Sequence, residues 1–397
     1  MNPIKIGVFG CWRGQAHMDT IGAIDGFELV AVADKDDNRL NEARNHCNPD
    51  KVQFLHTFDE LLDTGIEAVV LCDYFTTHAE HAIKAMERGV AVLSECTAAH
   101  TLKGCVELCR AVERTGGRYM LGENYPFSKS NTELARLARS GILGKITYGE
   151  GEYNHSGPAD FLKSLTPEKY HWRAWLARTY YSTHALGPLM YMGQSMPKYI
   201  TAHAVHSDVL EQIADVRHND DALGMMCCEM DDGSLFRFTG CTAMASNSGY
   251  RIVGERGSAE TGRFLGEKIG LHFNHWEVPE GEECDRTYDP EWPSNAELAD
   301  RTGHGGGDFW VMYDFLQYLR GEEDVFFDVY RACAMSACGI LGWRSCLEHG
   351  KMYKIPDFRN EEERKLIEND DLSPFPDENG NGATLPASLR EAAFFNA

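Results

Sequence analysis

Ile6-Gly7-Val8-Phe9-Gly10-Cys11-Trp12-Arg13-Gly14, answered by Glu28-Leu29-Val30-Ala31-Val32-Ala33-Asp34, is the pair of segments on which the fold turns. The first apolar run reads as a buried strand, and the glycines after it as a tight turn into a helix. Such a turn aims backbone N–H groups and the positive end of a helix dipole at a pyrophosphate. The spacing is irregular, because Trp12 stands where a second glycine would permit close backbone approach. Read alone, the loop is as good an ordinary turn as a phosphate cradle. Asp34 tips the balance. It ends the second strand about 20 residues on, where a carboxylate accepts both ribose hydroxyls of NAD. Asp36 adds a second negative charge that would repel a 2′-phosphate, and Lys35 offsets it only in part, so NAD is preferred over NADP.

Outward from that pair, three more apolar runs follow: Glu67-Ala68-Val69-Val70-Leu71-Cys72, Val90-Ala91-Val92-Leu93 and Tyr119-Met120-Leu121. Helical patterns over 38–46, 77–88 and 102–114 separate them, with Thr77 and Glu80 spaced as a capping box and Gly89 and Gly116 as stops. Continuous apolar strands joined by helices predict a doubly wound parallel sheet, an α/β Rossmann domain over residues 1–125. After residue 143 the pattern changes. Strand patterns at 145–154, 199–206, 223–230, 234–239 and 251–253 follow without intervening helices, and Asp231-Asp232-Gly233 signals a hairpin. This predicts an α+β domain over 126–397 with an open, largely antiparallel or mixed sheet. It would close on helices at 308–319 and 329–348 and a loop-like tail at 369–384.

Composition narrows the partners. At 397 residues the chain has room for two domains with cores of their own. Its formal net charge of −23 opposes binding to nucleic acid or to an anionic membrane, which leaves a neutral small molecule as the easier substrate. The 13 cysteines lie mostly inside apolar elements and show no CxxC pattern, as expected of reduced core thiols. No secretory pattern precedes the first strand, so a cytoplasmic location is expected.

The order Gly10-Cys11-Trp12-Arg13-Gly14, Val30-Ala31-Val32-Ala33-Asp34, 78–89 and Leu93-Ser94-Glu95, with Gly254-Glu255-Arg256-Gly257 and Ile355-Pro356-Asp357-Phe358, resembles the Gfo/Idh/MocA oxidoreductases. Many members carry Glu-Lys-Pro where this chain has Glu95-Cys96-Thr97-Ala98-Ala99, so the proton-moving lysine is absent. The NAD-dependent glycosidases of that superfamily, of the α-N-acetylgalactosaminidase type, also lack it. To them this chain is similar at Glu123-Asn124, Glu150-Gly151-Glu152-Tyr153-Asn154-His155, His171-Trp172-Arg173, Tyr181-Ser182-Thr183-His184-Ala185-Leu186-Gly187-Pro188 and His304-Gly305-Gly306-Gly307-Asp308-Phe309. The resemblance spans most of the chain. It implies NAD as cofactor, a sugar or glycoside as substrate, and a dimer or tetramer.

It also implies a redox-neutral route. NAD⁺ oxidises the sugar 3-hydroxyl transiently, and the ketone acidifies the proton on carbon 2. A base removes that proton, the group on carbon 1 is eliminated, water adds, and the ketone is reduced again. Because the bond breaks by elimination, no pair of carboxylates need flank it. Gly10, Trp12, Arg13, Gly14, Asp34, Glu95 and Asn124 are the expected cofactor residues. His184 and Tyr181, three residues apart, would share one helical face as acid–base groups, with Tyr153 and Glu123 beside them in the active site. His155, Trp172, Arg173, His304 and Asp308 are the expected substrate contacts.

Each has a plainer alternative. His184 could be a helix-start residue, Tyr153 a strand aromatic, Trp172 a core tryptophan, and the His304–Asp308 glycines a device for tight packing. Glu123, His155 and His184 follow no ligand spacing, so no metal site is expected. A dehydrogenase releasing a 3-keto product is the alternative function, and a non-catalytic sensor a third. The retained Tyr181, His184 and Glu123 speak against the sensor.

Overall fold

A computed structural model describes residues 2–166, 170–206, 219, 221–240, 248–377 and 379–388. The chain opens as read: β1 (Ile4–Phe9), α1 (Cys11–Ala23), β2 (Phe27–Ala33), α2 (Asp37–Ala43), β3 (Gln53–Leu55), α3 (Phe58–Leu62), β4 (Ala68–Leu71), α4 (His78–Glu87), β5 (Ala91–Ser94), α5 (Leu102–Thr115) and β6 (Tyr119–Leu121). The six strands form one parallel sheet in the order β3-β2-β1-β4-β5-β6. All residues of β4 and β6 are buried, the mark of a sheet covered on both faces. The three-residue β3 has too short an apolar run to show in the sequence.

One helix start differs from expectation. Thr77 precedes α4, but its hydroxyl donates to Asp73 Oδ2 at 2.7 Å and Tyr74 O at 2.8 Å and makes no cap bond to the helix. Thr77 sits at φ −110° and ψ −5° rather than in the extended conformation of a cap, so its oxygen does not face the first-turn N–H groups that a cap would accept from. The reciprocal box forms one helix earlier, between Thr57 and Glu60.

The second part comprises α6 (Lys129–Ser140), β7 (Ile146–Tyr153), α7 (Ala159–Ser164), α8 (Thr183–Gly193), β8 (Pro197–His206), β9 (Asp221–Met230), β10 (Leu235–Thr239), β11 (Ser248–Gly254), β12 (Gly257–Gly262), β13 (Ile269–Phe273) and β14 (Asp285–Tyr288). The chain ends through α9 (Ala296–Ala299), α10 (Gly307–Arg320), α11 (Val329–Leu347), β15 (Tyr353–Lys354) and α12 (Glu361–Lys365). The second sheet runs β14-β13-β12-β11-β7-β10-β9-β8-β15. Its neighbours are antiparallel except β10 and β7, which run parallel, so the sheet is mixed. β9 and β10 make the hairpin read at Asp231-Asp232-Gly233.

The chain divides into two compact units. The first takes Met1–Phe127 with Pro293–Cys333 and Phe358–Asn369; the second takes Ser128–Trp292, Ala334–Asp357 and Asp370–Ala397. The boundary read at residue 125 thus leaves two returning segments on the other side. The first of these carries α10, which packs on α1. Phe315 stacks on Phe27 at 6.4 Å, and Leu316 closes on Gly26, where a Cβ would meet its side chain at 2.9 Å. In the second unit, α6 and α8 cover the sheet, and β7 alternates toward them, with Gly149, Gly151 and Tyr153 buried.

Candidate functional site

In the first unit the turn after β1 is built on Gly10. Its φ is 92°, and a Cβ there would lie 2.4 Å from the backbone carbon of Cys72, so only glycine fits. Gly14 serves packing, since a Cβ would meet Val8 Cγ1 at 2.6 Å and lift α1 off β1. α1 starts with no side-chain cap and no acidic residue in its first turn, which leaves its positive end suited to an anion. Asp34 sits at the end of β2. Its Oδ2 accepts from Cys11 N at 2.7 Å and its Oδ1 from Asp36 N at 3.0 Å, which fixes the carboxylate and leaves each oxygen a second lone pair. Trp12 is half exposed, with the Arg39 guanidinium 5.9 Å from its ring centre.

Arg13 does something the sequence did not reveal. Its Nε donates to Glu95 Oε1 at 2.8 Å, and its two terminal nitrogens donate to Asp308 at 2.7 and 3.3 Å. His17 Nε2 lies 2.7 Å from the same Glu95 oxygen, His304 Nδ1 lies 2.9 Å from Asp308 Oδ2, and Asn124 Nδ2 donates to Asp308 Oδ1 at 2.8 Å. Burial pushes the Glu95 carboxyl up, but the Arg13 charge and the His17 bond overcome it and hold it well below the usual range. Asp308 is lowered in the same way by the His304 bond and the Arg13 charge.

The glycine run makes this network possible. Gly305 and Gly306 have positive φ, and a Cβ on Gly307 would sit 2.3 Å from Asn124 O. Asn124 Oδ1 is buried with no partner among the described residues. Glu123, fully buried, accepts from Tyr125 N at 3.2 Å and from the Cys96 thiol at 3.1 Å. The helix start, to which Gly10 gives no side-chain cap, the fixed Asp34 carboxylate and the Gly10 turn together fit a dinucleotide.

In the second unit, Tyr153, Tyr181 and His184 lie together, although Tyr181 and His184 do not share a helical face, because the chain breaks at Ser182 between a 3₁₀ turn and α8. Ring centres are 4.8 Å apart for Tyr153–His184, 5.2 Å for Tyr181–His184 and 5.8 Å for Tyr153–Tyr181. Tyr153 comes from the end of β7, Tyr181 from a 3₁₀ turn (Arg178–Tyr181), and His184 from the first turn of α8. His155 lies 5.8 Å from Tyr153, and Trp172 stacks on Tyr181 at 6.2 Å. The Arg173 guanidinium sits 4.3 Å from the Trp172 ring and 5.7 Å from that of Tyr181.

Three residues outside the expected set hold this cluster. Gly151 lets β7 approach α8, since a Cβ there would lie 2.2 Å from Ala185 O. Pro188 lies inside α8 and has no N–H for the carbonyl four residues back, that of His184. The buried Tyr250 hydroxyl, reaching from β11, donates to that oxygen at 2.6 Å. Gly151 was visible inside its motif. Tyr250, a lone strand aromatic, carried no local signal.

The oxidoreductase family with an NAD-binding Rossmann fold matches residues 4–123, and the glycosyl hydrolase 109 C-terminal domain matches residues 226–364. A glycosyl hydrolase family 109 protein of Shewanella pealeana is 25% identical over 396 residues, covering 90% of this chain and 86% of its own. One of Stenotrophomonas maltophilia is 24% identical, covering 76% and 75%. Among solved structures, an oxidoreductase domain protein from Kribbella flavida superposes with a TM-score of 0.73 at 16% identity, over 90% of this chain and 100% of that one. A levoglucosan dehydrogenase in complex with NADH and L-sorbose gives the same TM-score, identity and coverage. These structural likenesses speak to the fold. No helix among the described residues is long and apolar enough to cross a membrane. The chain joins an NAD-binding domain of the Gfo/Idh/MocA oxidoreductase family to the C-terminal domain of glycosyl hydrolase 109, and is an NAD-dependent enzyme of the glycosidase or sugar-oxidoreductase kind.

Proposed function

We propose that this enzyme hydrolyses glycosides without net oxidation, with NAD held by the first unit and proton transfers carried by the second. The observation that carries the reading is the cluster of Tyr153, Tyr181 and His184, three proton-bearing rings whose centres lie within 5.8 Å. The glycosyl hydrolase 109 domain match and the family 109 relatives support it.

Bound NAD supplies a reversible two-electron oxidation of the sugar 3-hydroxyl. His184 takes the proton of that hydroxyl and later returns it, work suited to an imidazole near neutral pH. With carbon 3 a ketone, Tyr181 removes the proton on carbon 2, and Tyr153 protonates the departing group on carbon 1. The same two phenols, in reversed roles, add water across the resulting double bond. Trp172 and Arg173 lie against the sugar ring. In the first unit, Arg13, Glu95, Asp308 and His304 keep the cofactor turn in place, and Asp34 binds ribose.

The test is a panel of nitrophenyl α- and β-glycosides given to purified protein with bound NAD and no added oxidant. Nitrophenol release with no accumulation of reduced cofactor is expected. Reduced cofactor accumulating without nitrophenol would replace the hydrolase by a dehydrogenase, and silence on both channels across a broad panel would favour a sensor.

A further inference from the structure

The hairpin of β13 and β14 brings together three metal-ligating side chains that play no part in the chemistry above. His272 and Asp285 are paired directly across the two strands. His272 Nδ1 lies 2.6 Å from Asp285 Oδ1, and one donor atom each from His272, Cys284 and Asp285 falls within 4.8 Å of the others. The geometry points to a surface site for a borderline divalent cation, Zn²⁺ above all, at the mouth of this hairpin.

The donor set decides the class. An imidazole nitrogen, a thiolate sulfur and a carboxylate oxygen suit Zn²⁺, with water as the fourth ligand, whereas Ca²⁺ and Mg²⁺ take oxygen. A thiolate and a carboxylate also neutralise the ion's two charges. Nearby cations are already engaged: Arg251 with Glu150 and Glu260 at 3.8 and 3.7 Å, Arg286 with Glu282 at 3.1 Å.

The backbone holds the ligands ready. Phe273 N donates to Cys284 O at 2.8 Å, which closes the loop 274–283, and the buried Leu271 and Phe273 anchor β13 on either side of the exposed His272. Little ordering is left for the ion to impose. β14 is the edge strand of its sheet and, among the described strands, pairs with β13 alone, so the ion would add a side-chain tie across that pair.

The experiment titrates the metal-stripped full-length protein with Zn²⁺ against a chromophoric chelator, beside Cys284→Ser, His272→Ala and Asp285→Asn. His272 and Asp285 are well exposed and Cys284 partly so, and a thermal melt without metal checks that each variant folds. Expected is the loss of one bound equivalent, or at least a tenfold weaker one, in each variant. Zn²⁺ should also slow amide exchange in β14 of the wild type only. Equal stoichiometry and affinity in all four proteins, or wild-type binding only at millimolar Zn²⁺, would overturn the site.

Discussion

Asp308→Asn tests the network that ties the cofactor turn to the His304 segment. Asp308 is 1% exposed and receives both terminal nitrogens of Arg13. Removing one partner of a buried ion pair costs about 3–5 kcal/mol when the survivor is stranded. Arg13 keeps Glu95 and is 24% exposed, so the cost here falls to roughly 2–3 kcal/mol. At about 2–4 °C per kcal/mol, the melting midpoint at pH 7 should drop by roughly 4–12 °C.

The pH dependence gives a second readout. Asp308 and Glu95 both have native values below their unfolded ones, so the unfolded chain binds more protons in acid. Their contribution is complete above the unfolded value of about 4 and drains as the pH falls below it. The variant lacks the Asp308 share, and its stability should therefore fall less steeply than the wild type's between about pH 4 and pH 2. Melts across that range, with NAD affinity measured at pH 7, form the assay. A variant that melts with the wild type and follows the same acid slope would refute the reasoning.

His184→Ala should abolish most turnover and leave NAD binding intact; unchanged turnover would remove His184 from the chemistry. Gly151→Ala drives a methyl against the Ala185 carbonyl at 2.2 Å, costs about 1–3 kcal/mol, and should depress kcat by moving the start of α8, as steady-state kinetics and a melt would show. Tyr250→Phe removes the hydroxyl's bond to the buried His184 carbonyl, at about 0.5–1.5 kcal/mol. Adding Pro188→Ala restores a helical N–H to that carbonyl, so urea unfolding of the double variant should recover part of the loss.

Much of the fold was legible because its signals are local. The run from Ile6 to Gly14, Asp34 at the end of β2 and the Asp231-Asp232-Gly233 hairpin are each decided by a few neighbouring residues. The motifs around Tyr153, Tyr181 and His184 named the residues that converge, yet not how. Tyr250 reaches the His184 carbonyl from another strand, and only the missing N–H of Pro188 explains why it is wanted. Arg13 and Asp308 pair across 295 residues of sequence, and no periodicity announces such a contact. His17 could have been found, four residues after Arg13 on the same helix and aimed at the same glutamate. Thr77 shows the opposite failure: the capping pattern was present, but the residue's backbone is not extended and its hydroxyl does not meet the first turn.

The most direct test of the central claim is turnover of an accepted nitrophenyl glycoside in deuterated water, with the released sugar examined at carbon 2. Elimination through a 3-keto sugar requires that proton to leave and be replaced from solvent, so deuterium at carbon 2 is predicted in the product. Nitrophenol released with carbon 2 still carrying its original hydrogen would mean direct displacement at carbon 1, and would contradict the account.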